Sequence, residues 1–378
     1  MHLMINATDI GRQRGGNESF LLGLLDGLRS LPGGAGQDHF SLVACRAGLP
    51  TLSAWDWPLR FDLIDAGPWR RWPFYLWQQT RLLRRARPDW YLSTFLLPLA
   101  VPCQAAVLVH DLSFRAHPEF FPQFEDAKRL VMHLMMAFTC RRAQLISCDS
   151  EWTAHDLHTL LGVPKNKLRV VSLGVDERFF QPALPDALQE LRQRMHLDQP
   201  FILFVGERRP HKNLIGLMKA FSLFRRLSNQ PYQLVIAGKR YADYQEPETI
   251  AKQFGLSDSI CFLDYVAEFD LPVLYQAAEA FISLSHYEGF GLPILEAMAS
   301  GTPVVAANCT ALPKVVGEAG MLVDPDNPDQ AADALHQIVR GGAQREQMIA
   351  LGSERARQYT WERTAQKTLE IYREAQTR

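Results

Sequence analysis

Glu296 stands eight residues after Glu288 in the stretch Ser285 to Val305, which also carries Gly289, Gly291, Pro293, Gly301 and Pro303. The apolar run Ala280–Leu284 predicts a strand, Pro293 opens a helix, Ser300-Gly301 stops it, and Pro303–Ala307 predicts the next strand. That order is the building block of a parallel sheet. Glu288 and the amides of Phe290, Gly291 and Leu292 then fall at a strand's carboxyl edge and a helix N-terminus. There, N–H groups without helical partners and the helix dipole favour an anion, with phosphate the commonest. Glu296 falls about one turn inside the helix, so one carboxylate faces a bound group while the other reaches a neighbouring hydroxyl. Two glutamates at this spacing also arise by chance in charged helices.

Three other places carry residue types suited to the same chemistry. Phe201–Gly206 predicts a strand running into Glu207-Arg208-Arg209-Pro210-His211-Lys212-Asn213. A cationic loop with Lys-Asn at the start of a helix suits a diphosphate. Gly15-Gly16, between the strand Leu3–Ile5 and a helix beginning near Phe20, let a backbone approach a phosphate closely. The loop is not Gly-x-Gly-x-x-Gly, which argues against a dinucleotide. His110 ends the apolar run Ala106–Val109, at the strand edge where open αβ sheets place ligands. Asp324-x-Asp326 looks like a metal-binding pair, but it sits in a Pro- and Asp-rich turn where helix capping explains the acids; no metal is expected.

The elements that must position these residues alternate between strand and helix patterns along 378 residues, enough for two or three domains. Hydrophobic content of 47% and charged content of 21% describe a soluble globular chain with ample core. Forty basic against forty-one acidic residues give no argument for nucleic acid. No apolar run approaches the roughly 20 residues needed to span a bilayer, and the start has no signal-peptide pattern. The six cysteines are scattered without Cys-x-x-Cys, which predicts reduced, packed thiols in a cytosolic protein. From Pro68 to Pro88 lie Arg70, Arg71, Arg81, Arg84, Arg85 and Arg87 without an acid, interleaved with Trp69, Trp72, Phe74, Tyr75 and Trp77. Such a stretch lies on an anionic bilayer surface or forms a helix with a packed aromatic face and a solvated arginine face. Further strands are expected at Ser41–Ala44, Phe61–Ile64, Asp89–Ser93, Leu145–Ser150, Val170–Asp176, Leu234–Ala237, Ile260–Val266 and from Met321. Helices are expected at 127–142, 151–161 with Ser150 as cap, 247–254 and 328–340.

The string Glu-Gly-Phe-Gly-Leu-Pro-x-x-Glu-Ala-x-Ala-x-Gly-x-Pro-Val is far more specific than its glutamates. It resembles the Glu-x7-Glu signature of the retaining glycosyltransferases of family 4, which have the α/β GT-B fold. The resemblance implies two Rossmann-like domains with parallel sheets facing across a cleft: 1–180 on the acceptor side, 181–200 as linker, 201–358 for the nucleotide-sugar, and 359–378 as a helix crossing back. It places Glu288 on the donor sugar, Glu296 on the ribose, and Lys212 with the amides of Phe290, Gly291 and Leu292 on the diphosphate. Gly15-Gly16 form the loop closing over that diphosphate, and His110 lies near the reacting sugar. Many relatives have arginine or a small polar residue where this chain has Glu207, so Arg208 or Arg209 supplies the second cation. The implied activity is metal-independent transfer of a sugar from a nucleoside diphosphate, without a cofactor, with retained anomeric configuration. The Lys-Asn and Glu-Gly-Phe-Gly strings are close to bacterial polysaccharide mannosyltransferases. That implies GDP-mannose, with UDP-sugars next, and a glycan or lipid-linked glycan acceptor in polysaccharide or lipopolysaccharide synthesis. The expected location is cytoplasmic, with peripheral contact to the inner face of the plasma membrane through 68–88. The rival readings are a non-catalytic sugar-nucleotide-binding protein on this scaffold and a sugar-nucleotide epimerase.

Overall fold

The computed structural model describes residues 1–12, 16–31, 38–57, 60–68, 73–121, 126–241, 244 and 246–376. Gly15 and residues 69–72 of the arginine-aromatic stretch are therefore outside the described residues. The described residues fall into two compact units, one from 1–116, 124–174 and 360–378, the other from 117–123 and 175–359.

The first unit is built on β1 (His2–Asn6), β2 (His39–Ala44), β3 (Phe61–Asp65), β4 (Trp90–Ser93), β5 (Gln104–Val109), β6 (Leu145–Cys148) and β7 (Leu168–Val170), all parallel in the order β3-β2-β1-β4-β5-β6-β7. Sheets of this kind are covered on both faces, so their strands are continuous apolar runs; Leu3, Met4 and Ile5, and Ala106 and Val107, are wholly buried. The strand expected at Val170–Asp176 stops at Val170 because the chain turns toward the C-terminal segment. A Cβ on Gly174 would lie 2.2 Å from the Trp361 amide nitrogen, and the next residue, Val175, donates to Tyr359 O at 3.0 Å. Of the 68–88 stretch, residues 74–78 form a π-helical turn that runs into a helix at Gln79–Ala86. Phe74, Tyr75 and Leu83 are buried, while Arg81, Arg84, Arg85 and Trp77 face solvent.

The closing helix, Trp361–Gln376, belongs to this first unit and crosses the helix Gly16–Ser30 at close range. A Cβ on Gly23 would sit 2.0 Å from the Trp361 indole, and one on Gly27 would sit 2.2 Å from the Trp361 carbonyl oxygen. Tyr372 stacks on Trp90 at 5.2 Å, and Arg373 pairs with Asp38 at 2.6 Å.

The second unit carries β8 (Phe201–Val205), β9 (Gln233–Ala237), β10 (Ile260–Leu263), β11 (Ala280–Ser283), β12 (Val304–Ala307) and β13 (Met321–Val323), parallel in the order β10-β9-β8-β11-β12-β13. Strand order reverses between β8 and β11, where loops leave in opposite directions and open a ligand crevice at the carboxyl edge. Residues 181–200 are built into this unit: Arg192 donates to Ala277 O at 2.9 Å, and Arg194 pairs with Asp270 at 2.6 Å. A helix at Ala343–Ala356 has no clear apolar stripe in the sequence; Gly352 brings it against Met298. The two units are the two Rossmann-like domains of a GT-B fold. No helix among the described residues is long and apolar enough to cross a membrane.

Gly27→Val forces the two helices of the first unit apart at Trp361. It is expected to destabilise the protein by about 1–3 kcal/mol, read as a lower thermal midpoint, whereas Gly16→Ala, with no atom near its Cβ position and no left-handed backbone, shifts the midpoint far less.

Candidate active site

The site of the second unit grows from the two strands at its switch point. β8 ends at Val205 and delivers Gly206, Glu207, Arg208 and Arg209 into a 3₁₀ turn at Pro210–Lys212. Asn213 then caps the helix Leu214–Leu227. Its side chain accepts from Gly216 N at 3.1 Å and donates to Pro325 O at 2.8 Å. β11 delivers His286, Tyr287 and Glu288 and runs through Gly291 into the helix Leu292–Ala299. Gly291 holds φ at +106°, and a Cβ there would also meet Leu312 at 2.7 Å, so only glycine makes this entry to the helix. The two loops touch: His286 N donates to His211 O at 2.9 Å, and Lys212 Nζ lies 2.6 Å from Glu288 Oε1. Lys212, Glu288 and the first amides of the helix at Phe290, Gly291 and Leu292 are thereby gathered at one edge.

Glu296 sits inside that helix, accepting from the Tyr275 hydroxyl at 2.8 Å. Burial pushes its carboxyl up to about 7, against the pull of Tyr275 and Arg178. Arg208 and Arg209 differ sharply. Arg208 is 2% exposed, pairs with Glu248 at 2.9 Å and Asp264 at 3.0 Å, and donates to Leu263 O at 3.1 Å. It therefore holds the corner after β10. Arg209 is partly buried and stacks on the Tyr241 ring at 3.3 Å, while the Tyr241 hydroxyl donates to Glu207 at 2.9 Å. The Asp324 carboxylate closes its own turn by accepting from Asp326 N at 2.9 Å, and Asp326 pairs with His286 at 2.9 Å. The following helix is capped by Asn327 rather than by either aspartate.

His110 and Gly16 lie in the first unit. His110 Nδ1 is 2.6 Å from Asp149 Oδ2, the Phe20 ring meets the imidazole edge-on at 5.1 Å, and Thr153 Oγ1 donates to His110 O at 3.1 Å. Nε2 of His110 is left without a hydrogen-bond partner among the described residues. Burial disfavours the imidazolium. The charge and hydrogen bond of Asp149, with Asp111 and Asp9, outweigh it and raise the His110 pKa above its ordinary value. Burial likewise raises Asp149, against the pull of His110. Asp149, Tyr275 and Tyr241 are absent from the sequence reading. Asp149 had a signal: it follows β6 as His110 follows β5, and the register Val109↔Cys148 sets the two side by side.

Comparison with known proteins gives this geometry a family. The model of "Glycosyltransferase Family 4" matches residues 15–179, and that of "Glycosyl transferases group 1" matches residues 189–355. The O-antigen chain mannosyltransferase B of Escherichia coli is 31% identical over 314 residues, covering 80% of this chain and 81% of that protein. The chain belongs to this glycosyltransferase family. A D-inositol 3-phosphate glycosyltransferase of Corynebacterium glutamicum is 32% identical over 241 residues, 62% of this glycosyltransferase but 58% of that enzyme. Among solved structures, sucrose-phosphate synthase from Thermosynechococcus elongatus shares the fold with a TM-score of 0.78 at 20% identity, covering 100% of this chain and 99% of that one.

In the glycosyltransferase, Glu296 titrates at about 7 in the fold against an ordinary 4.5. Its ionised form therefore weakens the fold, and the penalty grows as pH rises between those values and is constant above. Glu296→Gln is expected to raise the thermal midpoint at pH 8 and to lose that advantage below pH about 4.5. Asp149→Asn removes the charge that opposes burial, so the His110 pKa is expected to fall, read by NMR titration of the imidazole.

Proposed function

We propose that this glycosyltransferase moves mannose from GDP-mannose to a hydroxyl of a growing glycan on a lipid carrier, with retention and without a metal ion. The observation that carries the donor and acceptor class is the match along most of both chains to an O-antigen chain mannosyltransferase. A UDP-sugar is the alternative donor.

When the bond between the sugar C1 and the diphosphate oxygen breaks, negative charge grows on the diphosphate and positive charge on the ring. Lys212, Arg209 and the amides of Phe290, Gly291 and Leu292 stabilise the first. Arg209 takes this role over Arg208 because the Arg208 guanidinium is already matched to two carboxylates and a carbonyl inside the unit. Glu288 binds a hydroxyl of the donor sugar and fixes its orientation; its ion pair with Lys212 keeps both groups in place before the donor enters. Glu296 binds the ribose. His110, held by Asp149, positions the sugar and stabilises the developing charge. The acceptor oxygen bonds to C1 on the face the diphosphate leaves, and its proton passes to a donor phosphate oxygen. A lipid-carried acceptor brings the enzyme to a cytoplasmic membrane face, where exposed Trp77, Arg81, Arg84 and Arg85 meet anionic headgroups.

Release of nucleoside diphosphate from a panel of sugar nucleotides, with and without chelator, tests this reading. Turnover of GDP-mannose unaffected by chelator, and lowered about 100-fold or more by Lys212→Ala or Glu288→Ala, is the expected result. Turnover that needs a divalent ion, or that survives both substitutions, refutes it.

A further inference from the structure

The second unit contains a short piece of chain that, in sequence, follows β5 and belongs with the first half. Residues 117–121 form a tight turn in which Phe120 N donates to His117 O and Phe121 N to Pro118 O, each at 3.1 Å. Pro118 pre-sets the turn. Three of its rings lie on three rings of the loops described above. Phe120 stacks on His286 at 5.5 Å with an interplanar angle of 5°, Phe121 stacks on His211 at 5.7 Å and 19°, and His117 meets Tyr287 edge-on at 5.6 Å.

His211 immediately precedes Lys212, and His286 stands two residues before Glu288. Neither imidazole is fixed on all sides by hydrogen bonds. Among the described residues, Nδ1 of each is buried without a hydrogen-bond partner, and the His286 ring is hydrogen-bonded through Nε2 to Asp326 alone. For His211, the ring contact with Phe121 is the orienting contact. Its surroundings also keep it neutral: burial, Lys212 and Arg209 push its pKa down to about 2. An uncharged, stacked imidazole therefore stands beside Lys212 and does not compete with it for Glu288.

We propose that residues 117–121 are a positioning strap in which Phe120 and Phe121 hold His286 and His211, and through them the two loops that present Glu288 and Lys212. The strap itself touches no reacting atom. Its consequence for catalysis rests on the reading of Lys212 and Glu288 as donor contacts, while its consequence for loop order does not. Because the two side chains work as a pair at 2.6 Å, a small drift of either loop misplaces both against the donor.

The test compares the full chain with Phe120→Ala/Phe121→Ala and with Phe120→Tyr/Phe121→Tyr, which keeps the rings. Amide exchange of peptides covering 210–213 and 286–288, read by mass spectrometry, is expected to be about tenfold faster in the alanine variant. It returns to wild type in the tyrosine variant, while a β9 peptide is unchanged in both. With GDP-mannose and, separately, UDP-glucose as probes, the alanine variant raises KM for the donor that turns over by about tenfold or more. Simple loss of folded enzyme would lower kcat and leave KM alone. Unchanged exchange in the two loops overturns the strap, as does exchange that rises equally in β9. If the alanine variant does not fold, Phe120→Leu, which keeps volume without the ring, is read in the same way. Failure of the donor reading is distinct: Lys212→Ala and Glu288→Ala then leave turnover unchanged while the exchange result stands by itself.

Discussion

Lys212 and Glu288 are 76 residues apart in the chain and 2.6 Å apart in the fold. That contact depends on β8 and β11 being neighbours, which a parallel sheet achieves only by reversing its strand order between them. Each strand ends at the same edge and hands its next residues to the same crevice. The loop after β8 is rich in cations; the loop after β11 carries the carboxylate and runs directly into a helix N-terminus. Glycine at 291 completes the arrangement, because no side chain tolerates both its dihedral and the nearby Leu312. The edge that gathers Lys212 and Glu288 thus follows from one topological choice and one backbone conformation.

Buried charge around this edge divides into two kinds. Arg208 is enclosed but matched on several sides by Glu248, Asp264 and the Leu263 carbonyl, so its desolvation is offset and the corner after β10 is locked. Glu296 is enclosed with, among the described residues, one side-chain hydrogen bond, from the Tyr275 hydroxyl, so burial disfavours its ionisation. A carboxylate held in that condition weakens the fold once it is ionised.

The first unit shows the same economy with one buried pair. Asp149 and His110 leave adjacent parallel strands, and Phe20 from the first helix closes on the imidazole. That helix is in turn fixed by Trp361 through Gly23 and Gly27. The C-terminal helix, distant in sequence from His110, thus reaches the imidazole's packing through one intermediate helix: Phe20 lies between His110 and Trp361, 6.1 Å from the latter.

Local chemistry made much of this legible from the chain alone. Short continuous apolar runs bounded by turn residues suit strands buried on both faces, so the strand–helix alternation and the parallel sheets were readable. Pro293, Gly291 and Ser300 mark a helix by their own backbone preferences, and Asn213 and Ser150 cap helices by reaching amides three residues away. The places of Glu288, Glu296, Lys212 and His110 at strand ends and helix starts were legible for the same reason, because each sits at a fixed offset from a local signal. What depends on which strands are neighbours could not be read. Asp149 becomes the partner of His110 only once β5 lies beside β6, and Arg208 is separated in role from Arg209 only once Glu248 and Asp264 converge on it. The strand predicted to run to Asp176 stops at Val170, because the segment beyond it is claimed by Trp361 from the other end of the chain. Residues 117–121 carry no periodicity at all, and their stacking on His211 and His286 exists only in three dimensions. Sequence determined the elements and the residue types at their ends; tertiary structure decided which ends meet, since pairing energies between distant side chains leave no pattern in local order.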